Sequence, residues 1–227
     1  MNTQIALIHT SPSMIPVFKS RADELLPSAS LFNMVDESLL CDIIREGCTP
    51  AATARRLVGH VISAADAGAT HILVTCSSMG RAVEASRLQV AATVLRVDEP
   101  MAERAVATGS RIGVIATLPS TLAPTVALIE SKAAAADKRI ELTSRVVQGA
   151  FAAVIGGDGA RHDALVGAAL RDLAGKCDVI VLAQASMARV VNSLAPADRP
   201  VPILSSPRPA IEDLAQRLTS RPNEPRP

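Results

Sequence analysis

A cysteine at the end of an apolar run is the residue in this chain best suited to chemistry. Residues 72–74 are Ile, Leu and Val, Cys76 follows after one threonine, and Ser77 and Ser78 come next. We interpret the stretch as a buried strand that ends in a polar turn, with a helix beginning near Arg81. The N–H groups at a helix start favour negative charge, so the position predicts a lowered pKa for the thiol. In open α/β sheets, ligands also bind at the carboxyl ends of the strands.

The composition limits the classes of protein to which the chain can belong. The 227 residues are 48% apolar, but Trp and Tyr are absent and only three residues are Phe. A core of Ala, Val, Leu and Ile is typical of a layered α/β protein. With a net charge of +1 and few aromatic side chains, the chain lacks the basic field and the stacking platforms that nucleic-acid binding needs. We therefore expect neither a nucleic-acid partner nor a membrane partner.

The cysteines and the hydropathy pattern indicate the compartment. The four cysteines show neither CxxC spacing nor a zinc-type Cys/His cluster, so no metal site is predicted. No apolar run reaches the length of a membrane span, and the first apolar run is too short for a signal peptide. The expected location is the cytoplasm, with reduced thiols.

Apolar runs of strand length alternate with helical patterns along the chain. This alternation predicts an α/β fold in which mostly parallel sheets are flanked by helices. His9 ends the first strand and is interpreted as a core or rim histidine rather than a base. The predicted strands are 5–9, 31–35, 72–74, 93–97, 111–116, 139–147, 178–182 and 201–204.

Two parts of the chain echo one another. Residues 5–13 (IALIHTSPS) match residues 112–120 (IGVIATLPS) without a gap. At nearly the same offset, residues 72–80 (ILVTCSSMG) match residues 180–188 (IVLAQASMA). The echo predicts two similar α/β lobes that face each other across a cleft.

The echo also sets the predicted domain organisation. The first lobe covers residues 1–97 and the second lobe covers residues 98–205. A C-terminal helix at 206–218 packs back on the lobes. Residues 219–227 contain three prolines and no apolar run, which predicts a disordered tail.

These motifs resemble the aspartate/glutamate/hydantoin racemase superfamily over most of the chain up to about residue 218. The resemblance rests on four stretches, which are TSPS at 10–13, VTCSS at 74–78, IGVIAT at 112–117 and VIVLAQASMA at 179–188. Racemases of this kind carry one cysteine at such a strand end in each half, and the two thiols face each other across the α-carbon of the substrate. The resemblance implies an isomerase that binds a small carboxylate and needs no metal or other cofactor. A homo-oligomer is implied by the resemblance alone.

The second half departs from the two-thiol pattern. Hydantoin racemases carry a motif similar to LGCAGMA, whereas this chain has Leu-Ala-Gln-Ala-Ser-Met-Ala at 182–188, with Gln184 at the cysteine. A shift of one residue would put Ala185 there instead. Cys177 lies at the opposite end of that strand, and an amide is neither an acid nor a base near neutral pH. The superfamily also includes arylmalonate decarboxylases with one cysteine, in their second half, and maleate isomerases, in which the first-half thiol resembles a nucleophile.

The resemblance implies a site at the strand ends of both halves. Cys76 is the predicted base or nucleophile, Gln184 is a predicted hydrogen-bond donor, and Ser186 is a hydroxyl for the opposite face. Preorganised N–H and O–H donors would stabilise an enediolate that forms at the carboxylate. The same polar residues also have a plain interpretation as turn and N-cap residues. The assigned substrate-binding residues are Thr10, Ser11, Ser13, Asn33, Ser77, Ser78 and Thr117.

Three functions remain open at this level. A racemase or isomerase would use Cys76 to exchange an α-proton or to add to its substrate, which would be an amino acid, a hydantoin-like compound or a dicarboxylate. A cofactor-free decarboxylase of a malonate-type acid would need only one thiol, because loss of CO₂ itself forms the enediolate. A binding protein would use the cleft without catalysis.

Overall fold

The first four apolar runs form one parallel sheet. The computed structural model describes residues 3–219, apart from the side chain of Asn192. The elements of this first lobe are β1 (Gln4–His9), α1 (Met14–Leu25), β2 (Ser30–Val35), α2 (Glu37–Glu46), α3 (Ala51–Asp66), β3 (His71–Val74), α4 (Gly80–Ser86) and β4 (Thr93–Arg96). The strand order of the sheet is β2-β1-β3-β4, and a 3₁₀ turn over Ser77–Met79 joins β3 to α4.

The second lobe repeats the arrangement with four more parallel strands. The elements are α5 (Glu99–Thr108), β5 (Arg111–Ala116), α6 (Pro119–Ala135), β6 (Glu141–Val146), α7 (Ala150–Ile155), α8 (Gly159–Ala174), β7 (Val179–Leu182), α9 (Ala188–Ser193), β8 (Ile203–Ser205) and α10 (Pro207–Thr219). The strand order is β6-β5-β7-β8, which is the order of the first sheet advanced by four strands, and a 3₁₀ turn over Ala185–Met187 joins β7 to α9. The predicted α/β fold with two similar lobes is confirmed.

Helices cover both faces of each sheet, which explains why the strands are continuously apolar. Successive side chains of a strand point to opposite faces. In β1, Ala6 and Ile8 therefore pack with α3 and α4, whereas Ile5 and Leu7 pack against Phe18 of α1. The second sheet is divided in the same way, with α7, α8 and α9 on one face and α5 and α6 on the other.

Helix α10 leaves the second sheet and packs back on the first lobe. Ile211 and Leu214 are fully buried beside α1 and the first sheet, and Glu212 forms an ion pair with Arg104 of α5. Thr219, predicted to lie in the disordered tail, is instead the last residue of α10. The rest of the predicted disordered tail, residues 220–227, lies outside the described residues.

Three local features differ from the predicted elements, one of which is the last strand, predicted at 201–204 and found at Ile203–Ser205. The strand predicted from residue 139 begins at Glu141, because Asp137 adopts a left-handed φ of 49° after α6 and the chain needs a few residues to re-enter the sheet. Helix α7 is an addition to the predicted order, formed by six residues before Gly156. In the part of the chain that the structure describes, no helix combines the length and the apolar character needed to cross a membrane.

Candidate active site

The carboxyl ends of neighbouring strands bring the predicted site residues together in pairs. β1 and β3 are adjacent and in register over four residues, so Thr10 and Cys76 leave the first sheet side by side. β5 and β7 pair in the same way in the second sheet. Thr117 and Gln184 therefore leave that sheet side by side. Both pairs are created by the register between neighbouring strands, because their members are far apart in the sequence.

Cys76 precedes the 3₁₀ turn and is half-buried against the core of the first lobe. The Thr10 hydroxyl donates a hydrogen bond to its sulfur, and the backbone N–H groups of Ser78 and Met79 also favour the thiolate, while Met79 N–H donates to the Cys76 carbonyl oxygen at 3.1 Å. Burial raises the pKa of the Cys76 thiol, these three donors lower it, and the nearby carboxylate of Asp98 raises it. Burial prevails, so the prediction of a lowered pKa is wrong. The N–H groups of the turn act in the predicted direction, but desolvation of the thiolate outweighs them.

Gln184 is the structural counterpart of Cys76. Each residue directly precedes a 3₁₀ turn in an extended backbone conformation, with φ −117° and ψ 112° at Cys76 and φ −129° and ψ 132° at Gln184. Ala185, the alternative that the sequence leaves open, is instead the first residue of the turn. The Oε1 atom of Gln184 accepts hydrogen bonds from the backbone N (2.5 Å) and the Oγ1 (2.8 Å) of Thr117. With this oxygen engaged, the amide N–H groups are what Gln184 offers to a ligand.

The two lobes therefore share one arrangement of residues at their strand ends, but the side chains in that arrangement differ in chemistry. In each lobe, the first residue after the central strand is a threonine whose hydroxyl bonds to the polar side chain after the neighbouring strand. Thr10 bonds to the thiol of Cys76, and Thr117 bonds to the amide of Gln184. The echo seen in the sequence therefore extends to individual hydrogen bonds.

A hydrogen bond across the lobes joins the turn after Cys76 to the second lobe. Ser78 Oγ and Thr121 Oγ1 lie 3.2 Å apart, and both residues are buried. Helix α6, which contains Thr121, packs directly on this turn. From the other side, the Thr49 hydroxyl donates to the Ser78 carbonyl oxygen at 2.8 Å. The backbone that surrounds the thiol is therefore held against the opposing lobe.

The remaining predicted site residues differ in exposure. Ser11 and Ser13 share a hydrogen bond of 2.8 Å in the turn after β1. Ser77 is buried in the turn that follows the thiol. Ser13, Asn33 and Ser186 are exposed residues, although Ser13 and Asn33 also take part in hydrogen bonds within the chain.

His9 is a buried residue that connects three strands near the thiol. Its Nδ1 lies 2.8 Å from Oγ1 of Thr75, which precedes Cys76, and its Nε2 lies 2.9 Å from Oδ1 of Asn33 in β2. Burial lowers the pKa of the His9 imidazole against the opposing effect of Asn33, so the ring is neutral at pH 7. A neutral ring satisfies both contacts when Nε2–H donates to Asn33 and Nδ1 accepts from the Thr75 hydroxyl. His9 therefore supports the site through its neighbours, as the core interpretation of the sequence expects.

A cavity of about 620 Å³ lies between the lobes, beside the thiol rather than at it. One wall is a face of α6 and the other comes from α4 and the segment between α2 and α3. Cys76 does not line this cavity, but Ser78 does, together with Ser120, Arg81 and Arg96. The cavity therefore reaches the far side of the turn that follows the thiol.

The chain belongs to the Asp/Glu/hydantoin racemase family. Residues 5–214, nearly the whole chain, match this family. The family resemblance inferred from the motifs is confirmed, and the protein is an isomerase of the racemase type. Membership also supports small carboxylates as the class of substrate.

Solved racemase structures share the fold. Allantoin racemase from Klebsiella pneumoniae is 16% identical with a TM-score of 0.69, and the match covers 95% of this chain and 87% of that one. Picrophilus torridus aspartate racemase is 10% identical with a TM-score of 0.73, over 96% and 95% of the two chains. Glutamate racemase isoform RacE1 from Bacillus anthracis is 18% identical with a TM-score of 0.71, over 95% and 81%. At these identities the likeness establishes the fold, and no curated protein matches the sequence significantly.

We expect the His9→Gln variant to lose less free energy of unfolding than the wild-type protein when the pH is lowered. The folded chain lowers the pKa of His9, whereas the unfolded chain restores the ordinary value of 6.5. The contribution of the neutral ring to the free energy of unfolding is therefore fully present above pH 6.5 and decreases as the pH falls below that value. Between about pH 7.5 and about pH 5.5, the decline reaches up to about 1.4 kcal/mol. Urea unfolding at both pH values should show a smaller drop in the variant, because glutamine does not titrate; an equal drop contradicts a neutral His9.

Proposed function

We propose that the protein is a cofactor-independent isomerase of a small carboxylate, in which Cys76 acts on the substrate as base or nucleophile. The observation that carries the proposal is the matched pair of contacts, from Thr10 to Cys76 and from Thr117 to Gln184. The hydrogen bond of Ser78 to the second lobe supports the placement of these turns around one cleft. A substrate between them would meet a thiol on one side and hydrogen-bond donors on the other.

In the proposed reaction, the chain supplies both the proton transfer and the stabilisation of charge. The Cys76 thiolate removes the α-proton, the electron pair of the C–H bond moves into the carboxylate to form an enediolate, and the thiol then returns a proton to carbon. N–H and O–H donors of Ser77, Ser78 and Thr117, with the amide of Gln184, would hold the carboxylate oxygens. As a nucleophile, the thiolate would instead add to the C=C bond of an unsaturated dicarboxylate and leave again after rotation.

A single thiol confines direct proton transfer to one face of the substrate. Gln184 occupies the place of the second acid or base, and an amide does neither task near neutral pH. Exchange of the α-proton with solvent should therefore be faster than inversion of configuration. Inversion would need a water molecule or a hydroxyl from the second lobe, for which Ser186 is the candidate.

Decarboxylation of a malonate-type acid is the second candidate, and the chemistry of Cys76 favours it. Loss of CO₂ leaves the electron pair on the α-carbon and forms the enediolate without a base. One acid then completes the reaction by donating a proton to that carbon. Because burial raises the pKa of the Cys76 thiol, the sulfur is protonated at neutral pH and suited to this donation.

Replacement of the thiol tests both candidates. Cys76→Ala is expected to lower turnover by about 10²–10⁴-fold, because it removes the group that transfers the proton. Proton NMR in D₂O with amino acids, hydantoins, dicarboxylates and malonates measures α-deuterium incorporation and isomer formation, and CO₂ release marks decarboxylation. Cys48→Ala is the matched control, since this exposed thiol lies beside the cavity.

Full activity in Cys76→Ala would contradict both catalytic proposals, and Cys48→Ala should keep wild-type activity. Circular dichroism of both variants shows whether the fold is retained. If the wild-type protein binds compounds of the panel but converts none, the cleft serves binding alone.

The pH dependence of kcat/KM separates a base from an acid at Cys76. Burial raises the pKa of this thiol, so the thiolate is a minor form at neutral pH. A thiolate base or nucleophile predicts that kcat/KM rises with pH through the neutral range until the pH passes the raised pKa. A thiol acid predicts a constant kcat/KM at neutral pH and a fall above the same pKa. The isomerase proposal requires that kcat/KM rise with pH below the pKa of the thiol. If kcat/KM is instead constant there and falls above the pKa, the result supports decarboxylation.

A second thiol should increase inversion if Gln184 faces the substrate opposite Cys76. We expect Gln184→Cys to raise the ratio of inversion to α-proton exchange by about tenfold or more, because a thiol transfers protons and an amide does not. Chiral chromatography combined with mass spectrometry of the deuterated product measures the ratio. Ala185→Cys adds the same thiol one residue later and should leave the ratio unchanged. A larger increase in Ala185→Cys would contradict the assignment of Gln184.

A further inference from the structure

A buried ion pair lies beside the thiol at the end of β4. β3 and β4 run parallel with Val74 opposite Arg96, and Cys76 and Asp98 each follow two residues later, so that the Asp98 carboxylate acts on the Cys76 sulfur through its charge. Arg96 Nε and Nη2 donate to Oδ1 and Oδ2 of Asp98 at 3.1 and 3.0 Å. The two side chains are 6% and 1% exposed. Such a pair is retained only where its geometry compensates for lost hydration.

The same guanidinium contacts helix α4 at its first turn. Arg96 lies so close to Gly80, the first residue of α4, that a Cβ atom at this position would overlap the guanidinium. Its Nη1 also donates to Glu84, one helical turn later. The turn 77–79, which carries the N–H groups that reach the sulfur, leads directly into Gly80. Arg96 therefore supports the backbone that surrounds the thiol.

The ion pair brings a negative charge next to the sulfur. Burial lowers the pKa of the Arg96 guanidinium, but Asp98 and Glu84 raise it above its usual value, so it stays cationic. Burial raises the pKa of the Asp98 carboxyl, Arg96 opposes this effect, and Glu99 adds to it. Both oxygens of Asp98 accept an N–H, which is the pattern of a carboxylate. The Asp98 carboxylate is therefore the charged group that acts on the thiol. Arg96 and Glu99 act in turn on Asp98, and Glu84 pairs with Arg96.

The second lobe lacks this pair at the matching place. β8 stands beside β7 as β4 stands beside β3, with Leu182 opposite Ser205. Ser205 therefore occupies the position of Arg96, and Pro207 occupies the position of Asp98. The charged pair accompanies the lobe that carries a thiol, whereas the lobe that carries an amide has uncharged residues there.

We propose that Arg96 and Asp98 are positioning residues for Cys76, which fix its turn through Gly80 and present a carboxylate that the thiolate must face. The inference rests on the proposed function only in taking Cys76 as the reactive thiol. The pair keeps the proton on the sulfur in the resting protein while holding the N–H groups that receive the negative charge once the proton leaves.

Alkylation of Cys76 by iodoacetamide as a function of pH tests this role without any substrate. The experiment uses a Cys41→Ser, Cys48→Ser background, because both of these thiols are exposed, and peptide mass spectrometry follows Cys76. Asp98→Asn removes the charge with little change of shape and should move the midpoint of alkylation to lower pH by about 1 pH unit. Glu84→Gln is the matched control on the same arginine and should leave the midpoint in place.

A second variant guards against unfolding of Asp98→Asn, which leaves a buried arginine without its partner. The double variant Arg96→Gln, Asp98→Asn has no unpaired buried charge and lacks the carboxylate, so it should also lower the midpoint, but by less than Asp98→Asn because the turn loses the support of Arg96. A wild-type midpoint in either variant, when circular dichroism shows it folded, overturns the proposal. Equal midpoint shifts in Asp98→Asn and Glu84→Gln overturn it as well, because the loss of any nearby negative charge would then explain the shift. Loss of the proposed function alone, shown by an active Cys76→Ala protein, would leave this alkylation result unchanged.

Discussion

The register between parallel strands is the constraint on which the candidate site depends. Pairing of β1 with β3 brings Thr10 to Cys76, and pairing of β3 with β4 brings Asp98 to the same sulfur. In the second lobe, pairing of β5 with β7 brings Thr117 to Gln184. A slip of one residue in any pair would turn the strand's buried side chains toward the opposite face. The packing of the core and the assembly of the site are therefore specified by the same contacts.

The two lobes have a common architecture and different chemistry at their strand ends. The first lobe places a thiol next to a buried ion pair, and the second lobe places an amide next to uncharged residues. Because each turn sits on a rigid parallel sheet, the difference lies in side chains and leaves the backbone almost unchanged. Such a pair of lobes is suited to proton transfer from one side and to hydrogen bonding from the other.

Periodicity and composition were sufficient to predict the fold. Apolar runs located the strands, and the resemblance to the hydantoin racemase motif placed Gln184 at the position of a second cysteine in the candidate site. The choice between Gln184 and Ala185 needed the backbone, because only the start of the 3₁₀ turn distinguishes them. The contact of His9 with Asn33 and the pair of Arg96 with Asp98 depend on strand pairing, so spacing in the sequence does not reveal them.

The direction of the pKa of Cys76 shows a second limit of sequence reasoning. The turn after the strand does supply N–H groups to the sulfur, as the motif predicts. The burial that opposes them comes from side chains distant in the sequence, such as those of the first-lobe core. An arginine and an aspartate at the end of an otherwise apolar strand were the available signal that charge lies near this thiol.

The most direct measurement is a crystal structure of the protein with a small carboxylate bound. We predict that the carboxylate oxygens contact the strand-end donors of both lobes and that the α-carbon lies within about 3.5 Å of the Cys76 sulfur. A carboxylate bound only in the cavity along α6, with the Cys76 sulfur out of reach, would contradict a catalytic role for this thiol.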